Sequence, residues 1–64
     1  MERDYHVRPN LKGWDVIQEN GLETFRFKDQ QEAIKAARTM SQREKKNLFI
    51  YGNDGKIIRK ESWT

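Results

Sequence analysis

The stretch NLFIYGNDGKI, Asn47 to Ile57, decides how this chain folds. Its turn is plain. Gly52-Asn53-Asp54-Gly55 reverses the chain, and Gly55 supplies the positive φ that a bulged hairpin needs. The strand before the turn is less ordinary. Side chains alternate across a strand, so Leu48 and Ile50 face one side while Phe49 and Tyr51 face the other. A chain of 64 residues has one core to offer. One apolar side of this strand goes into it, and the other side requires a separate explanation.

Upstream of that strand the hydrophobic period is helical. In DQQEAIKAARTMSQREKK, Ala33, Ile34, Ala37 and Met40 recur at spacings of three and four. Asp29 is the expected N-cap, with Glu32 three residues on as a capping-box partner. The helix is expected to fade between Arg43 and Lys46, with Asn47 as its C-terminal cap. The stripe is narrow and its side chains are small, so a sheet can approach it closely.

Three strands are expected before the helix. YHVRP, Tyr5 to Pro9, puts Tyr5 and Val7 on one face and His6 and Arg8 on the other. Pro9 cannot donate to a ladder and ends the strand or marks an edge. After the Asn10–Gly13 turn comes WDVIQE, Trp14 to Glu19. Asn20-Gly21 is a strong hairpin signal, and LETFRF, Leu22 to Phe27, follows. KIIRKESW after the Gly55 turn is the fifth strand. The expected fold is α+β, a single domain over 1–64 with about 5–63 ordered. Its element order is β-β-β-α-β-β, an antiparallel-rich sheet with one helix packed on one face.

The bulk composition limits what such a domain does. With no cysteine there is neither a disulfide nor a thiolate metal site. That agrees with a reducing, cytoplasmic setting. No apolar run follows MERDYHVR, so no secretory signal is expected, and no stretch is long enough for a membrane span. Mean hydropathy is −1.12 and 36% of residues are charged. The clustering of seven aromatics with Ile, Leu and Val nevertheless argues for a folded chain. Net charge is +3, a mild bias toward anionic partners.

A single helix covers one side of the sheet. Val7, Trp14, Val16, Phe25, Phe27, Leu48, Ile50 and one of Ile57 or Ile58 are expected on that side. The other side then holds His6, Arg8, Ile17, Arg26, Phe49 and Tyr51. A basic residue of the last strand joins them, Arg59 or Lys60 by register, and Arg59 is assigned. The candidate binding face is therefore His6, Arg8, Arg26, Phe49, Tyr51 and Arg59. Aromatics beside guanidinium groups suit base stacking with cations at phosphates. The same rings suit a homodimer or a partner protein. Alternatively, the ESWT tail folds back and Trp63 covers them.

Catalytic constellations are missing from the sequence. His6 is the single histidine and no cysteine exists for it to activate. Ser41 and Ser62 have no histidine fixed beside them. One histidine is too few for catalytic zinc, and Asn53-Asp54-Gly55 lacks the alternating acids of a calcium loop. Asp4, Asp15, Glu19 and Glu23 form no paired carboxylate site. Gly52 and Gly55 do not open a helix, which rules out a phosphate loop. No catalytic, cofactor or metal site is expected.

YHVRP, GWDV, FKDQQEAIKAAR, YGNDGKI and ESW stand in this order across Tyr5 to Trp63. Together they resemble the small bacterial and phage family known as domain of unknown function 2188. Its members look like Tyr-His-Val-x-Pro, Gly-Trp-x-Val, an Ala-Ile-x-x-Ala helix, a His-Gly-x-Asp-Gly-x-Ile hairpin and an Asp-Ser-Tyr-like end. This chain departs at Tyr51, where the family has His, and at Trp63, where another aromatic is usual. The resemblance implies a stand-alone cytoplasmic module and carries over no catalytic residue. It draws attention to Tyr5, His6, Pro9, Trp14 and the Asn53-Asp54-Gly55 turn. The expected function is a non-catalytic binding module that takes nucleic acid weakly, in a salt-sensitive way, on the basic, aromatic face. The alternative is a protein-interaction module, either a homodimer or a phage-type inhibitor of a host protein.

Overall fold

The computed structural model describes residues 4–19, 21 and 24–63. Its elements are β1 (Tyr5–Asn10), β2 (Gly13–Gln18), β3 (Thr24–Phe27), α1 (Gln30–Glu44), β4 (Asn47–Tyr51) and β5 (Ile57–Ser62). This is the β-β-β-α-β-β order read from the sequence. Asn20 and Leu22, at the expected hairpin turn, lie outside the described residues, as does Thr64. The sheet order is β3-β2-β1-β4-β5. It is mixed, because β1 and β4 run parallel while the other three pairs are antiparallel. The chain crosses the sheet through α1 between β3 and β4, and such a crossover permits a parallel neighbour.

The core lies between α1 and the centre of the sheet. Tyr5, Val7, Val16, Leu48 and Ile50 are buried there with Ala33 and Ala37. Helix formers fill α1, and its buried stripe is Ala33, Ala37 and Ser41, four residues apart. Side chains this small let the helix backbone settle close to β1 and β4. Ile34 and Met40 pack at the margin of the cluster, as do Trp14, Phe27 and Trp63.

Several details differ from the sequence reading. Phe25 is 42% exposed, since β3 is a short edge strand beyond the main core. Neither Ile57 nor Ile58 is buried; they are 54% and 63% exposed on the other edge. Asp29 is the N-cap by backbone conformation, but its side chain makes no capping hydrogen bond. At the helix C-terminus Lys45, not Asn47, turns left-handed, with φ 57° and ψ 52°. The backbone N–H groups of Lys45 and Lys46 both donate to the Ser41 carbonyl.

Polar contacts fasten the elements. Gln30 Nε2 donates to the Tyr51 carbonyl at 3.1 Å, tying the start of α1 to the end of β4. The Tyr5 hydroxyl donates to Glu44 at 2.8 Å. Burial first, and that carboxylate second, push the Tyr5 phenol up to about 12. Arg38 grips Glu61 with two hydrogen bonds of 2.9 and 2.6 Å. No helix among the described residues is long and apolar enough to cross a membrane.

Candidate binding face

The face away from α1 is built from alternate residues of five strands, and the register sets them in rows. One row runs Thr24, Ile17, His6, Phe49, Lys60, each opposite the next across the sheet. The neighbouring row places Arg26 opposite Asp15 and Asp15 opposite Arg8, with Tyr51 opposite Ile57 at the far side. Parallel pairing of β1 with β4 creates this arrangement, because it brings YHVR alongside FIY in phase.

Phe49 stands at the centre. The His6 ring stacks on it with centroids 5.2 Å apart and planes 14° apart. From the other side, Lys60 Nζ lies 5.5 Å from its centroid. Tyr51 has an equivalent cation, with the Arg8 guanidinium carbon 4.9 Å from its ring centre. Each aromatic on this face therefore carries a cation against its π surface, an attraction of about 0.5–1 kcal/mol where solvent reaches it.

His6 joins the two rows through hydrogen bonds. Nε2 meets the Glu19 carboxylate at 2.7 Å and Nδ1 meets the Tyr51 hydroxyl at 3.1 Å. A carboxylate only accepts, so Nε2 carries the proton. In the neutral ring Nδ1 then accepts from the Tyr51 O–H. The Tyr51 oxygen in turn accepts from Arg8 Nη2 at 3.5 Å. In the chain Arg8–Tyr51–His6–Glu19 each of these contacts runs from a donor to an acceptor. It fixes the ring orientations.

Five of the six residues expected on this face are there: His6, Arg8, Arg26, Phe49 and Tyr51. Arg59 is not. It sits opposite Ile50, on the α1 side, and its Nε meets Glu61 at 3.2 Å. Lys60 takes the place instead. The register shift at Ile50/Tyr51 settles this phase, and the Ile57-Ile58 pair hid it in the sequence. Arg26 is engaged by Asp15 at 3.2 Å. Trp63 does not cover the face; it packs on the α1-side core. Glu19, the partner of His6, was the member that sequence reasoning passed over. Its signal was alternation, since Glu19 follows Asp15 and Ile17 at spacings of two, one residue past the end of β2.

Among the described residues no group of three or more His, Asp or Glu could hold a metal ion. A family model described as an uncharacterized protein conserved in bacteria, domain of unknown function 2188, matches residues 5–63. The chain belongs to that family. No curated protein and no solved structure matches it. The matched span of this family member runs from Tyr5, at the start of β1, to Trp63, just past the end of β5.

Proposed function

We propose that this member of the domain of unknown function 2188 family is a non-catalytic module that binds single-stranded nucleic acid on its open sheet face. The observation that carries the reading is the pairing of each ring with a cation: Phe49 with Lys60, and Tyr51 with Arg8. A base stacks on such a ring by displacing the cation from its π surface, and the displaced cation then meets the phosphate. Stacking supplies about 1–3 kcal/mol per base, so two rings give weak binding. Two phosphate contacts give a slope of log affinity against log salt near about −1.4.

Titration of the isotopically labelled chain with an oligothymidylate single strand, beside a short duplex, tests this. Amide shifts are expected on β1, β4 and β5 for the single strand, fading as salt rises. Phe49→Ala with Tyr51→Ala leaves the α1-side core intact and is expected to abolish the shifts. Unchanged affinity in that double variant overturns the reading. So does a silent titration by a chain that already tumbles as a dimer at micromolar concentration, which makes the face a protein interface.

A further inference from the structure

β5 is the last strand of the sheet, and no strand among the described residues pairs with its outer edge. α1 packs over β1 to β4, and its Arg38 extends to Glu61 on β5. Between them lies a cleft of about 320 Å³. Ile34, Ile50 and Ile58 give it apolar walls, and Lys35, Arg38 and Arg59 give it cations. Glu61 is the carboxylate held between Arg38 and Arg59. Three cations against one anion leave an excess of two positive charges beside the cleft. Lys60 adds another on the opposite side of the same strand.

Edge strands are commonly blunted by charges and bulges so that stray strands do not add to them. Here the charges on the edge are of one sign apart from the engaged Glu61. They repel cationic strands and favour an anionic one. Beside them, Ile58 stays 63% exposed at the cleft mouth, where a protective edge would place a polar residue. We propose that the outer edge of β5 and its adjoining cleft dock an extended acidic peptide, which adds a strand to the sheet and seats one apolar side chain between Ile34 and Ile58. Main-chain hydrogen bonds to the edge supply affinity, and alternate side chains supply specificity. In a strand, residues two apart share a face. Acidic residues two before and two after the apolar one therefore reach Arg59, Arg38 and Lys35, while the intervening positions pass Lys60.

This site shares Lys60 with the Phe49–Tyr51 face but uses neither ring, so removing the rings separates the two proposals. The probe is a short capped peptide with one central Leu between Glu residues; its counterpart carries Lys in place of Glu. Amide shifts on residues 57–62 and 30–38 are expected with the Glu peptide and not with the Lys peptide. Ile58→Ser and Lys35→Glu alter exposed side chains and leave the core unchanged. Each is expected to weaken binding about tenfold, while Phe49→Ala with Tyr51→Ala leaves it unaltered. Three results overturn the proposal: no β5 shifts at millimolar peptide, equal binding of the Lys peptide, or β5 amides protected in proportion to protein concentration. The last would assign the edge to a second copy of the chain.

Discussion

His6 uses both ring nitrogens on neighbours 13 and 45 positions away in the chain. Sequence inspection left this histidine the least explained residue. In the folded chain it aligns two aromatics and holds Glu19 at the rim of a cationic face. The Glu19 carboxylate opposes any polyanion that approaches that face. Glu19→Gln keeps an acceptor for the His6 N–H and removes the charge. It is expected to raise single-strand affinity a few-fold at low salt, measured by the same titration. An unchanged or lower affinity would mean that anions do not approach past His6. The residue-scale reading from sequence was good where side-chain alternation alone decided the facing, as for Phe49 and Tyr51. It failed at Arg59, where one irregular step in the ladder reversed the phase.

At the scale of the elements, two backbone positions govern how α1 and β2 begin and end. Lys45 holds a left-handed conformation, a strain of about 1–2 kcal/mol for a residue with a Cβ. Lys45→Gly removes that strain while keeping the capping N–H, and is expected to stabilise the domain by about 1 kcal/mol. Thermal or urea unfolding reads it out, and a destabilised variant would show that the Lys45 side chain makes a compensating contact. Gly13 is the opposite case. A Cβ there would collide with the Phe27 carbonyl oxygen of the neighbouring strand. Gly13→Ala is expected to cost about 2 kcal/mol or more, because backbone and not a flexible side chain must move. Wild-type stability in that variant would mean that β2 and β3 part without penalty. Periodicity announced α1 clearly, and Asp29 marked its start. Its end was misjudged because Asn tolerates the left-handed region better than Lys in general, whereas here hydrogen bonding to the Ser41 carbonyl chose the position.

On the scale of the molecule, the helix is joined to the edge strand through charge. Glu61 is buried, with 8% of its side chain exposed, and Arg38 on α1 holds it from across the cleft. Hydrogen bonds from Arg38, and then the nearby charges of Arg38 and Arg59, hold the Glu61 carboxyl below the usual 4.5 despite its burial. A folded value lower than the unfolded one contributes stability above the ordinary carboxylate range, and that stability is lost as pH falls through the folded value. Acid unfolding is therefore expected to include a step below pH 4.5 that Glu61→Gln lacks. At neutral pH the variant is expected to be less stable by about 1–2 kcal/mol, allowing for solvent at the Arg38 guanidinium. Identical acid profiles for the two chains would show that the pair contributes nothing to holding β5.

The sequence by itself determined the kinds and order of the elements, the side of β4 that enters the core and, of the α1 stripe, Ala33 and Ala37 but not Ser41. These follow from periods of 2 and 3.6 and from turn chemistry, which act over a few residues. Only the tertiary structure decided that β4 lies parallel beside β1, that β5 is left at an edge tied to the helix through Arg38 and Glu61, and that Lys60 rather than Arg59 joins the aromatic face. Strand order and register arise from contacts between residues some 40 positions apart, such as His6 with Phe49. No local pattern encodes them, and a shift of one residue turns every side chain of a strand to the opposite face.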